Sequence, residues 1–139
     1  QTYVHAGNKI GTMVEINCET DFVANTDDLK QFANDICLQI VATSPKYVSP
    51  EEVDSEYLEK EKNFLKEQLR EQGKPENMLD QIVQGKIEKI YQDICLLKQP
   101  FVKNDQLTVE EVLQELMSKV GEKIQIRRFA RYEVGEKLA

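Results

Sequence analysis

The sequence has very few residues of the kinds that build catalytic or metal sites. It contains a single histidine, His5, and three widely spaced cysteines, none of which belongs to a C-x-x-C pair. A zinc site or a histidine-centred catalytic array therefore has no basis in the sequence, and no cofactor is expected. We expect Cys18, Cys37 and Cys95 to be reduced core residues and His5 to be a surface or strand residue.

Long apolar runs and an excess of positive charge are also missing. The apolar stretches, such as ICLQIVA at residues 36–42, are far shorter than the ~20 residues that a membrane span needs. With 18 basic and 25 acidic residues, the formal net charge is −7, which disfavours binding to nucleic acid or anionic lipid. We expect a soluble protein with a protein partner, without direct nucleic-acid or membrane binding.

The length, 139 residues, suits one domain with one core. The first residue is Gln1 rather than methionine, and no secretory leader follows it. We therefore expect residues 1–139 to be a single domain and a piece of the protein to be missing upstream.

Strand patterns occur at both ends of the chain. Residues 2–18 predict a β-hairpin with AGNKIG as its turn, and Ile10, Thr12 and Val14 alternate onto a buried face. KIQIRRFARYEVG, residues 123–135, predicts a long strand. One face of this strand would carry Ile124, Ile126, Arg128, Ala130, Tyr132 and Val134.

Helical patterns fill the middle of the chain. One helix is predicted from about Leu29 with Thr26 as N-cap, and another near the capping-box sequence of residues 49–52, extending to about Gln72. A third follows Pro75 and forms an antiparallel hairpin with the second. Residues 96–106 predict an extended connection, and a further capping box at residues 108–111 opens a helix ending at Gly121. We predict an α+β fold: a small antiparallel three-stranded sheet from both chain ends, covered by helices, with a helical hairpin in the middle.

Two segments have compositions that are found in nucleotide- or nucleic-acid-binding sites: the glycine-containing AGNKIG and the arginine-containing RRFAR. AGNKIG joins two strands and matches neither a Walker loop nor G-x-G-x-x-G, so it does not predict a nucleotide site. The segment RRFAR could be a solvated sheet face, a protein contact or a nucleic-acid surface using Arg127, Arg128 and Arg131. The charge balance argues against nucleic acid. Helix glutamates such as Glu59 are expected to be solvated.

The connection NCETDFVANTDD, residues 17–28, contains a phenylalanine where a polar turn is expected. Phe22 could turn inward as a hydrophobic staple before the cap Thr26, and the pattern alone favours this interpretation. Alternatively, it could project outward beside Asp21 as an anchor for a pocket on a partner.

The segment NCETDFVA resembles the signature of the elongation factor Ts family. Other segments resemble the family's core in the same order, and together they cover almost the whole chain: YVHAGNKIG, PKYVSPEEV, GKPENMLDQIVQGK, QPFVKND and GEKIQIRRFARYEVGE. The family consists of guanine-nucleotide exchange factors of bacterial and organellar translation. The resemblance is to the core, dimerisation domain of the short form, after a ubiquitin-associated-like N-terminal domain that this sequence does not contain.

The resemblance implies a non-enzymatic factor that promotes GDP release from elongation factor Tu. The Asp-Phe pair of the motif, here Asp21 and Phe22, would contact the GTP-binding domain of that partner, with Thr20 and Val23 shaping the turn. The resemblance also implies a homodimer formed through the sheets and a cytoplasmic location, or an organellar one in a eukaryote. The alternative is a dimerisation and docking core that is insufficient for exchange without the N-terminal domain.

Overall fold

The computed structural model describes residues 1–138, in which strands from both ends of the chain meet in one sheet. The strands are β1 (Thr2–Val4), β2 (Ile10–Asn17), β3 (Pro100–Phe101), β4 (Asn104–Thr108) and β5 (Gln125–Glu133). The α-helices are α1 (Asp21–Ala24), α2 (Asp27–Thr43), α3 (Ser55–Glu71), α4 (Glu76–Ile94) and α5 (Val109–Val120). The predicted α+β class is confirmed.

The main sheet has the antiparallel order β1-β2-β5, as predicted. Met13 in the central strand pairs with Thr2 on one side and with Ala130 on the other. Thr12 and Val14, the neighbours of Met13, are buried, whereas Met13 is exposed, which confirms the predicted alternation. One face of the sheet is therefore packed and the other is open.

Helix α2 covers the packed face. Its apolar residues recur at the spacing of one helix face, and Ile36 and Ile40 are fully buried. The predicted cap is confirmed, because the Leu29 N–H donates to Thr26 Oγ1 at 3.3 Å. Side chains from α2, α5 and the sheet form the main core.

Helices α3 and α4 form the predicted antiparallel hairpin, which turns at Gly73 with a φ of +77°. A second apolar cluster of Leu69, Leu79, Val83 and Ile87 holds the two helices together. Among residues 1–138, no helix is long and apolar enough to cross a membrane.

The start of α3 differs from the predicted capping box. Residues Pro50–Glu52 form a short 3-10 turn, and α3 begins at Ser55 after the N-cap Asp54. Ser49 makes no side-chain capping hydrogen bond, and the Glu52 carboxylate accepts from the N–H of Val48 at 3.0 Å rather than from that of Ser49. The predicted capping box at residues 49–52 is therefore wrong. The prediction that a helix starts within a few residues of it is confirmed, because α3 begins at Ser55.

The segment predicted as an extended connection contains a 3-10 turn and the two-stranded β3–β4 sheet. The buried Gln39 of α2 organises it: its Nε2 donates to the Pro100 carbonyl (3.1 Å), and its Oε1 accepts from the N–H of Val102 (2.8 Å). Gln39 Nε2 also lies 3.2 Å from Gln99 Oε1. These bonds join residues about sixty positions apart, so the local pattern did not reveal the hairpin.

Strand β5 does not keep one face along its length, contrary to prediction. Glu15 pairs with Arg128 while Ile16 pairs with Ile126, so Arg127 is an extra residue in a β-bulge. The bulge reverses the alternation: Ile126 is buried, Arg128 is exposed, and Phe129 packs against the core. Ile126 and Tyr132, which the sequence pattern placed on the same face of the strand, therefore lie on opposite faces of the sheet.

Candidate functional site

The motif TDFV forms its own short helix, α1, between β2 and α2. Thr20 is the N-cap, and its Oγ1 accepts from the N–H of Val23 at 3.3 Å. At the other end, the Thr26 hydroxyl donates to the Val23 carbonyl (2.7 Å), and Asn25 Nδ2 donates to the Asp21 carbonyl (2.8 Å). Side chains therefore satisfy backbone groups at both ends of this single turn.

Val23 and Phe22 lie on different sides of α1. Val23 is 3% exposed and belongs to the main core, whereas Phe22 is 82% exposed. Consecutive helical residues are about 100° apart around the axis, so burial of Val23 turns Phe22 outward. The inward staple favoured by the local pattern is wrong, while binding of a partner by Phe22 stays a prediction.

Asp21 lies beside Phe22 in the first turn of α1, where a carboxylate complements the helix dipole. Its side chain is exposed, and within residues 1–138 it makes no side-chain hydrogen bond or ion pair. Asp21 and Phe22 thus present a carboxylate and an apolar ring together at the surface.

Sequence reasoning missed Glu122, which lies in the turn between α5 and β5. Its Oε1 accepts from the backbone N–H groups of Glu19 (3.2 Å) and Thr20 (3.1 Å), and its Oε2 accepts from the Thr20 hydroxyl (2.6 Å). The partners are about one hundred residues away, so no local motif signals this contact. The segment GEKIQIRR resembles the family, but the resemblance assigned Glu122 no role.

The three arginines considered for nucleic-acid binding are engaged with other groups. Arg127 and Arg128 both donate to the Glu15 carboxylate, at 3.1 and 2.8 Å, and chiefly the hydrogen bond from Arg128 lowers the pKa of Glu15. Arg131 donates to the carbonyls of Ile40 and Val41 at the end of α2. They do not form a stripe of unpaired cations.

The cysteines divide into two kinds. Cys37 and Cys95 are buried, as expected, and burial raises the pKa of the Cys95 thiol to about 11. Cys18 is only half-buried, at the end of β2, and its Sγ lies 3.2 Å from the Thr20 carbonyl. All three are free, and no metal-binding cluster of histidine, cysteine or carboxylate residues occurs within the described part of the chain.

A second exposed surface lies on the open face of the main sheet. Val4 and Tyr132 flank Gly11 across the three strands, and Met13 follows two residues along the central strand. Their exposed fractions are 61%, 73% and 57% in the order Val4, Tyr132, Met13. We call these three residues the open-face patch.

Fold and site together define an α+β domain that displays an aromatic-acidic pair on a capped helical turn. Residues 1–136 match the model of the protein family described as Elongation factor TS. The chain belongs to the elongation factor Ts family.

Bacterial relatives named Elongation factor Ts match the whole chain. The protein of Heliobacterium modesticaldum is 52% identical over all 139 residues, which cover 65% of that relative. The protein of Carboxydothermus hydrogenoformans is 51% identical, again over the whole chain and 64% of the relative. The chain thus spans slightly less than two thirds of the length of these proteins.

Proposed function

We propose that this chain is a guanine-nucleotide exchange factor domain that promotes GDP release from elongation factor Tu during translation elongation, without covalent chemistry. Family membership supports the reaction, and the observation that carries the proposal is the outward Phe22 on an ordered helix. Asp21 and Phe22 contact the partner in this proposal, while Thr20 and Val23 hold the helix that presents them.

The mechanism we propose is negative coupling between two ligands of the GTPase. A factor that binds the nucleotide-free state more tightly weakens GDP binding by the same factor, because linkage is reciprocal. The ring of Phe22 acts as a wedge between helices near the nucleotide site of the partner, shifting the groups that hold the phosphates and Mg²⁺. Chemistry at a covalent bond is not required.

The exposed ring can supply a useful part of the binding energy. Burying a phenylalanine side chain contributes about 1.5–3 kcal/mol, equivalent to roughly 10- to 150-fold in affinity. Little conformational freedom is lost on binding, since Thr20, Asn25 and Thr26 already cap α1 in the free chain. Preorganisation of the helix thus favours partner binding.

We also propose that the chain forms a homodimer through the open-face patch. This face has no helix over it in residues 1–138, and its apolar side chains share one surface across all three strands. A second copy would bury the patch by placing the same surface against itself. Sedimentation equilibrium that finds only monomers at tens of micromolar would argue against the dimer.

Proteins, rather than RNA or membranes, are the partners that we propose, with a cytoplasmic location in line with the bacterial relatives. The net charge of −7 and the pairing of Arg127 and Arg128 with Glu15 support this choice. RNA binding that falls steeply with salt concentration, or recovery of the chain in a membrane fraction, would contradict it.

A fluorescent GDP analogue on elongation factor Tu, followed by stopped flow, tests the proposed exchange. The wild-type chain should accelerate release and Phe22→Ala should not. Phe64→Ala is the matched control, because Phe64 is also an exposed phenylalanine but lies on α3. Its activity should equal that of the wild type.

The same experiment distinguishes the alternative, a dimerisation and docking core that is insufficient for exchange. This alternative is considered because the chain covers only 65% of the length of the Heliobacterium relative. It predicts that the wild-type chain binds elongation factor Tu, as measured by calorimetry, without accelerating GDP release.

A further inference from the structure

We propose that Glu122 is a positioning residue that holds α1, and with it Phe22, in the orientation required for partner binding. The inference rests on the proposed exchange function. It arises from the three hydrogen bonds that join the Glu122 carboxylate to Glu19 and Thr20, across more than one hundred residues of sequence.

Helix α1 needs support from outside itself. It has four residues, and a single helical turn is unstable in isolation because nucleation fixes several residues for very few hydrogen bonds. The N–H groups of Glu19 and Thr20, just before the helix, find their acceptor in Glu122. The carboxylate thereby fixes the path of the chain into the helix.

The contact with the Thr20 hydroxyl extends this control into the helix. That hydroxyl donates to Glu122 Oε2 at 2.6 Å while its oxygen accepts from the N–H of Val23 at 3.3 Å. A hydroxyl has one proton, so donation to the carboxylate directs a lone pair toward the helix. Glu122 thus orients the N-cap that holds the turn carrying Phe22.

The turn that carries Glu122 is itself firmly placed. Gly121 ends α5 in the left-handed region, with a φ of +73°, and donates to the Met117 carbonyl at 2.9 Å. Ile124, two residues after Glu122, is buried in the main core. The carboxylate therefore extends from a supported turn rather than from a loose loop.

Loss of this contact should lower the fraction of chains in which Phe22 is correctly placed. If that fraction falls to about one tenth, the concentration giving half-maximal exchange rises about tenfold, while the maximal rate at saturation stays within about twofold. A residue that drives release itself would lower the maximal rate instead. The split between these two parameters is therefore the main readout.

The test uses three variants of the full chain in the stopped-flow assay. Glu122→Ala removes all three hydrogen bonds of the Glu122 carboxylate and should raise the concentration of chain that gives half-maximal exchange. Glu122→Gln keeps an oxygen for the two backbone N–H groups but cannot accept from the Thr20 hydroxyl, so its half-maximal concentration should lie between those of the wild type and Glu122→Ala. Glu115→Ala, at an exposed glutamate of α5, makes the same change of charge and should match the wild type.

A double-mutant cycle shows whether Glu122 acts through Phe22. Because Phe22→Ala should no longer accelerate release, the cycle is measured as affinity for elongation factor Tu by calorimetry. In the Phe22→Ala background, Glu122→Ala should change that affinity little, because the group being positioned is already gone. An undiminished effect of Glu122→Ala in that background would overturn the proposal. So would an equal defect in Glu115→Ala, because loss of one negative charge rather than positioning would then explain the effect.

Amide NMR of the free chain separates this inference from the exchange proposal. In Glu122→Ala, the amides of Thr20 and Val23 should shift and exchange faster with solvent, whereas those of the α3–α4 hairpin should not. If the wild type fails to accelerate release, the exchange proposal is wrong, and the NMR result still decides whether Glu122 orders α1. Unchanged α1 amides would overturn the positioning role.

Discussion

Phe22 and Val23 are consecutive residues of α1, yet their side chains are 82% and 3% exposed. Val23 anchors the helix in the main core, and Phe22 leaves a ring of six carbons in water. The two neighbouring residues therefore have different roles: Val23 stabilises the fold, and Phe22 remains exposed and available for a partner.

This division predicts opposite effects on stability. Phe22→Ala should change the free energy of unfolding by less than about 0.5 kcal/mol, because the ring packs against little. Val23→Ala should cost about 1–3 kcal/mol through lost packing in the core. Urea denaturation measures both. A loss greater than about 1 kcal/mol for Phe22→Ala would contradict the outward ring.

The buried amide of Gln39 predicts a large effect from a residue without an exposed surface. Gln39→Ala removes the partners of the Pro100 carbonyl and the Val102 N–H, two partly buried groups that bond to the fully buried Gln39 side chain. Leaving them unsatisfied should cost about 2–4 kcal/mol of unfolding free energy. Gln114→Ala, at an exposed glutamine of α5, is the control and should stay within about 0.5 kcal/mol. Equal free energies of unfolding for Gln39→Ala and the wild type would contradict a stabilising role for the Gln39 hydrogen bonds.

The open-face patch predicts that one charge disrupts the proposed dimer. Met13→Lys places an ammonium group at the centre of the patch, where two copies would bring like charges together. Sedimentation equilibrium should show monomers, and circular dichroism should show that these monomers keep the helix content of the wild type. Met78→Lys, at an exposed methionine of α4, should leave the dimer intact. A dimer that survives Met13→Lys must use another surface.

The cysteines should differ in reactivity toward a thiol reagent. Burial raises the pKa of Cys95 from 9.0 to about 11, which lowers its thiolate fraction at pH 7.5 about 100-fold. Cys37 is buried as well, whereas Cys18 is half-buried near α1. Native chain at pH 7.5 should show one fast thiol, absent in Cys18→Ser, and two that react only after unfolding. Three equally fast thiols would contradict the packing.

Much of the local structure was predictable because it depends on residues close in sequence. Thr26 caps α2, and Thr108 and Glu111 form the predicted capping box of α5, whose hydrogen bonds join residues three apart. Gly121 ends α5 where a left-handed residue is needed. The apolar spacing of α3 and α4 predicted their hairpin. Such contacts are encoded within one or two turns of chain.

The sequence by itself determined the α+β class, the helical hairpin and the family, through periodicity, caps and motif order. Only the tertiary structure decided that Arg127 bulges, that Gln39 organises β3 and β4, that Phe22 faces outward, and that Glu122 contacts Thr20. The physical reason is distance along the chain. Each of these features depends on a packing or hydrogen-bond partner supplied by another element of the fold, which a local pattern cannot specify.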